Sequence, residues 1–151
     1  LNVTIDTKKV NALLSRAIKE TPRIAKQAMD RATANASNEL VDRVQSGGGL
    51  AGMMRPYSDS YARYRQKKGR QANFVDLNFT GNMLGSITPF NSKIYGRRIE
   101  SEIRPARAAE KKKVFYTDKQ RKWWGLSSME QSEVGRDFAR QFGRLFKVKV
   151  R

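Results

Sequence analysis

Apolar residues recur along this chain with two different periods, and the changes of period divide it into helical and extended stretches. Residues Leu1 to Asp6 alternate with period two, the pattern of a short half-buried strand. From Asp6 or Thr7 onward, Val10, Leu13, Leu14, Ala17 and Ile18 take the spacing of a helix lying on a core. Thr21-Pro22 predicts the end of that helix and the start of another, since proline suits a first helical turn, where no N–H is required. The second helix is expected from Pro22 to about Gln45. Ile24, Ala28, Ala32, Ala36, Leu40 and Val44 step by four along it. Its alanines leave room for a second helix, either within the chain or in a neighbouring subunit.

Ser46-Gly47-Gly48-Gly49 stops this helix. From Leu50 to Asn73 the chain is rich in Gly, Met, Arg and Tyr, with a short helix expected from Ser58 to Lys67. The stretch Asn73 to Thr88 then opens with alternation about Phe74, Asp76 and Asn78. It breaks at Thr80-Gly81 and resumes as an apolar turn carrying Met83, Leu84 and Ile87. The Thr80 hydroxyl is expected to cap that turn, and Gly81 to allow a sharp bend. Ile87 to Phe90 reads as extended, Asn91-Ser92-Lys93 as a turn and Ile94 to Arg104 as a strand closed by Pro105, together an antiparallel hairpin.

Ala106 to Lys122 carries only a weak helical pattern. Ser127 and Glu130 have capping-box spacing and predict a final helix bearing Val134, Phe138, Phe142, Leu145 and Phe146. Gly135 and Gly143 within it suggest close approach on their face. Phe146 to Arg151 alternates and is expected to close the chain as a strand. The economical architecture is α+β. A mostly antiparallel sheet of about four strands packs against long helices, with an extended basic arm at 47–73 that is flexible or ordered by a partner. At 151 residues, one domain spanning 1–151 is expected.

Charge changes the picture most. The chain has 31 Lys and Arg against 14 Asp and Glu, a formal charge of +17. That imbalance repels itself and attracts polyanions, so a nucleic acid or an acidic protein surface is the expected neighbour. Tyr57, Tyr61 and Tyr64 interleave with Arg63, Arg65, Lys67, Lys68 and Arg70, a composition that suits nucleic acid or an acidic partner. Trp123-Trp124 offers a second anchor: one ring is expected in the core, and the other either meets a partner or covers the core edge.

Candidate chemistry is sparse. There is no Cys and no His, which removes disulfides, thiolate and imidazole metal ligands and imidazole bases. The acids are scattered, and Glu100 and Glu102 read as partners of nearby arginines. Gly47-Gly48-Gly49 lacks the Gly-Lys-Ser/Thr of a phosphate loop. An enzyme is not expected, nor a cofactor. No apolar run approaches the length that crosses a bilayer.

Two motifs point to a family. Leu77-Asn78-Phe79-Thr80-Gly81-Asn82-Met83-Leu84, continued by Ser86-Ile87, resembles the L-x-x-T-G-x-[ML]-x-x-S-[IL] element of the tail-completion, or virion morphogenesis, proteins of tailed bacteriophages. Arg121-Lys122-Trp123-Trp124-Gly125-Leu126-Ser127 is similar to the aromatic-Gly-Leu-Ser turn that opens their last helix. The likeness covers Tyr57 to Leu145 in pattern. It implies a structural neck protein, assembled as a hexameric ring that joins the head connector to the tail tube or its terminator. The expected location is the virion neck, and the host cytoplasm during assembly. The excess of Lys and Arg departs from the family pattern and implies either more DNA contact in the channel or an unusual acidic partner. Thr80, Gly81 and Met83, with Trp123, Trp124 and the Tyr- and Arg-rich stretch, stand as candidate interface positions. The alternative is a sequence-nonspecific nucleic-acid-binding domain.

Overall fold

The chain is organised along one long helix, α1, from Thr7 to Gln45. The computed structural model describes residues 7–96 and 98–150, so the strand expected at Leu1 to Asp6 lies outside the described residues. A tight hairpin, β1 (Gly48–Gly49) and β2 (Gly52–Met53), follows, then α2 (Asp59–Lys67). After a 3₁₀ turn at Leu84–Ser86 come β3 (Ile87–Tyr95) and β4 (Arg98–Pro105), then α3 (Ala108–Arg121) and α4 (Ser128–Val150). The protein is α+β, a small antiparallel sheet packed against long helices.

Helix α1 does not break at Pro22, as its sequence suggests it should. Proline removes one helical N–H and crowds the preceding turn. The carbonyl left without its helical donor is that of Ile18, while the Thr21 hydroxyl donates to the neighbouring Ala17 carbonyl at 2.7 Å. From Ile24 onward one face of α1 is buried: Ala28 and Ala32 are wholly inaccessible, and Ala36, Leu40 and Val44 nearly so. The alanine row is therefore covered within the chain, so the choice its spacing left open resolves to internal packing.

Helix α4 runs antiparallel to α1. Three polar pairs set the register: Arg31 with Gln141, Asn35 with Asp137, and Arg43 with Glu130 at 2.8 Å. The capping box forms as its spacing predicts. The Ser127 N–H donates to Glu130 at 2.6 Å and the Glu130 N–H to the Ser127 hydroxyl at 3.3 Å. Burial works to raise the Glu130 carboxyl, but the Ser127 donors and the Arg43 guanidinium outweigh it and hold the group below the usual range.

The closing strand at 146–151 is not formed, because α4 stays helical to Val150. Phe138, Phe142 and Phe146 lie four apart, and the last two rings stack at 5.7 Å. A strand there has no described neighbour to take its backbone hydrogen bonds, whereas a helix satisfies its own. Nothing among the described residues lies within 4 Å of where a side chain on Gly135 or Gly143 would start, so the close approach expected at these glycines is not made by them.

The strands form two separate two-stranded sheets rather than one sheet of four. The turn expected at Asn91-Ser92-Lys93 is instead a bulge inside β3, so Ile94 and Tyr95, expected to open the second strand, belong to the first and pair with Ile99 and Arg98. Phe90 faces Glu102 and Lys93 faces Glu100, so two residues oppose Ser101 alone. The Ser101 hydroxyl fills the gap by donating to the Phe90 carbonyl at 2.9 Å. The Ser92 N–H freed by the bulge donates to Asp30 of α1 at 2.6 Å, which ties the hairpin to the long helix.

Leu40 and Val44 of α1 enclose the main core with Met54, Val75, Met83, Leu84, Ile87, Val114 and Trp123. No helix among the described residues is long and apolar enough to cross a membrane.

Candidate functional site

The central stretch folds around one carboxylate. Asp76 accepts from Arg65 at 2.8 and 3.1 Å, from the Tyr57 hydroxyl at 3.0 Å and from the Asn78 N–H at 3.0 Å. The last bond closes a local turn across Leu77, whose φ of +48° is rare for a branched side chain. Asp76 thus holds a strained backbone in place while Leu77 packs against the core. Burial, reinforced by the adjacent Asp76 carboxylate, pushes the Tyr57 phenol up to about 12.

Arg65 is the unexpected member of this group. Its place among exposed lysines and arginines suggests a surface contact, yet its side chain is 1 % exposed. Besides Asp76 it donates to the Gln71 carbonyl at 2.6 Å, and its guanidinium lies over the Tyr57 ring at 4.7 Å. Arg65 joins α2 to the Thr80-Gly81 stretch. Ser58 sits at the start of α2 but forms no side-chain cap bond.

Beyond Asn78 the chain turns at Gly81, with φ +78°. The expected Thr80 cap is absent. The turn closes instead through backbone bonds, Gly85 N–H to Gly81 at 2.8 Å and Ser86 N–H to Met83 at 3.2 Å, with the Ser86 hydroxyl also on the Met83 carbonyl. The Thr80 side chain is left at the surface.

Between α2, this turn and α3 lies an open cleft of about 1030 Å³. Tyr57, Tyr61, Arg65, Thr80, Gly81 and Met83 line it together, so six of the sequence-derived candidates converge there. Arg63, Lys67, Lys68 and Arg70 are exposed on or just after α2 and do not line it. Tyr64 lies outside it too, stacked on Phe79 at 5.8 Å. The opposite wall is one face of α3: Lys113, Tyr116, Thr117, Gln120 and Arg121. Sequence reading missed this wall. Its signal is the spacing itself, i, i+3, i+4, i+7, i+8, but the residues on it are polar, and helical periodicity is sought in apolar ones.

Both tryptophans lie away from the cleft. Trp123 is fully buried, donating its ring N–H to Thr117 at 3.0 Å, and meets Trp124 edge to face at 5.5 Å. Asp118 accepts both backbone N–H groups, at 2.9 and 2.8 Å. Trp124 is half-buried and lines a second groove of about 980 Å³ between α1, the β3–β4 hairpin and the start of α4. Arg43 holds this corner, donating to the Gly125 carbonyl at 2.7 Å as well as to Glu130.

The glycine run belongs to the same corner. A Cβ on Gly48 would stand 2.7 Å from the Arg43 Cγ and 3.0 Å from its carbonyl oxygen, so the backbone passes where no side chain fits. No group of three or more acids that could hold a metal ion occurs among the described residues. Comparison of the chain with protein-family models, with curated proteins and with solved structures finds no match in any of the three.

Proposed function

We propose that this chain is a structural, non-enzymatic subunit of the neck of a tailed-bacteriophage particle, a tail-completion protein. It works as a ring, six-membered on the family resemblance, between the head connector and the tail. It is made in the host cytoplasm and carried in the virion. The observation that carries the proposal is the exposure of two apolar residues on the first third of α1. The register of α1 with α4 brings the end of α4 level with about residue 22, so some fifteen residues, about 22 Å of helix, reach past it. Leu14 and Ile18 on that length are 56 % and 74 % exposed. They belong to a stripe patterned for a core, yet nothing among the described residues covers them. A neighbouring subunit accounts for the stripe, and a head-to-tail contact whose rotation closes makes a ring.

Light scattering at low and high salt tests this reading. A mass near six subunits is the expected result. The Leu14→Asp/Ile18→Asp variant should fall to the monomer while its thermal midpoint holds, because exposed positions change stability by only about 0.5 kcal/mol. A wild-type monomer that also never enters particles sinks the proposal.

A second reading, a sequence-tolerant nucleic-acid binder, is favoured by α2. There Tyr61 and Tyr64 are 39 % and 46 % exposed, beside exposed Arg63 and Lys67. It predicts affinity for oligothymidylate that falls steeply with salt and drops when Arg63, Lys67 and Lys68 are neutralised. An affinity indifferent to salt removes it.

A further inference from the structure

We infer that the cleft under the Thr80-Gly81 turn is the docking site for an extended acidic segment of a partner protein, anchored by a large apolar side chain. This deepens the assembly reading and rests on it, since it names the chemistry of one partner.

The floor and the rim of the cleft differ in character. Pro56, Leu77, Phe79 and Met83 give it an apolar floor, and no Asp or Glu lines it. Arg65 and Lys113 are already matched, by Asp76 at 2.8 Å and Glu110 at 2.8 Å. Arg55 and Arg121 stand in the lining without a carboxylate partner among the described residues. The Arg121 guanidinium donates to the side-chain oxygen of Gln120 at 2.9 Å and lies 5.5 Å from the Tyr57 ring centre, while its Nε is buried without an acceptor among the described residues. An apolar floor beneath two uncompensated arginines suits a side-chain anchor flanked by carboxylates. The volume is at the upper end for small-ligand pockets and admits several residues of extended chain.

Two other occupants fit less well. A nucleic acid would stack bases on the rings, but the faces of Tyr57 and Phe79 are taken, and the part-exposed Tyr61 ring is itself stacked on Tyr64 at 6.1 Å. Tyr57 lies under Arg65 at 4.7 Å and near Arg121 at 5.5 Å, and Phe79 stacks on Tyr64 at 5.8 Å. A second copy of this chain offers no extended acidic segment among its described residues. Its strand acids, Glu100 and Glu102, are paired with Arg98 and Arg104, and its surplus charge is positive. The anion comes from a different protein.

The test is selection of displayed random dodecapeptides on the purified chain, followed by fluorescence anisotropy of the enriched sequences. Wild type is compared with Arg55→Glu and Tyr116→Ser, both at exposed positions, and with Arg144→Glu on α4 as a control for bulk charge. The enriched peptides should set Asp or Glu beside Trp, Phe or Leu. Each cleft variant should weaken them about tenfold, and the control by less than about twofold. No enrichment, enrichment without acidic residues, or affinities indifferent to both cleft variants would overturn the inference. So would oligothymidylate binding that is lost in those variants while no peptide binds, which assigns the cleft to nucleic acid. Light scattering on the same preparation separates the two proposals. A ring whose cleft takes no acidic peptide removes this inference alone. A strict monomer that binds acidic peptides in the cleft and never enters particles removes the neck reading alone.

Discussion

Removing the Asp76 carboxylate should be among the most damaging single changes in the protein. In Asp76→Ala the Arg65 guanidinium, 1 % exposed, loses its one acidic partner among the described residues and cannot turn to water. An uncompensated buried charge of this kind costs about 3–5 kcal/mol. The Tyr57 hydroxyl and the Asn78 N–H lose their acceptor in the same step, and the left-handed Leu77 loses the bond that closes its turn. Against the roughly 5–15 kcal/mol that holds an ordinary domain together, this is a large share. At about 2–4 °C per kcal/mol for a chain of this size, the thermal midpoint should fall by about 6–20 °C. Urea unfolding followed by tryptophan fluorescence measures the loss, since Trp123 is fully buried in the same core. A double-mutant cycle isolates the pair. Arg65→Met/Asp76→Ala removes the stranded charge, and should be at least about 1.5 kcal/mol more stable than the sum of the single losses implies. If Asp76→Ala costs less than about 1 kcal/mol, or the single losses simply add, the Arg65–Asp76 pair does not organise this site.

Three further outcomes are expected. Gly48→Ala should destabilise by about 1–3 kcal/mol in the same urea assay, because its Cβ meets Arg43 at a carbon and a carbonyl that the Glu130 and Gly125 bonds keep in place. Tyr57 should ionise at about 12, visible as a late step in phenolate absorbance; its folded value lies above the unfolded 10.0, so its contribution to stability is complete below pH 10 and is lost as pH rises through about 12. Tyr57→Phe should abolish that step. Glu130 behaves in the opposite sense: its folded value lies below the ordinary 4.5, so its stabilisation is present above that pH and is lost on acidification, and Glu130→Gln should flatten the acid limb of a stability–pH profile.

What the sequence determined by itself is what neighbours along the chain can decide. The Ser127–Glu130 capping box, the phenylalanine stripe of α4, the bend at Gly81 and the antiparallel pairing of the β3–β4 hairpin, though not the place of its turn, all depend on residues a few positions apart. Their hydrogen bonds and side-chain periods are therefore written locally. Where two local signals competed, only the tertiary structure chose. Pro22 reads as a break, but both flanks are helical and the helix continues through it with one N–H fewer. The last residues alternate like a strand, yet a strand needs a partner and a helix does not. Asn91-Ser92 has turn composition but bulges, because Asp30, sixty-two residues earlier, takes the freed N–H. The candidate site was half legible. The tyrosines and the Thr80-Gly81 turn stood out in composition and motif, whereas the α3 wall and the burial of Arg65 did not. A charged residue reads as surface until a carboxylate closes on it, and that Asp76 does so follows from how α2 folds back onto the central stretch.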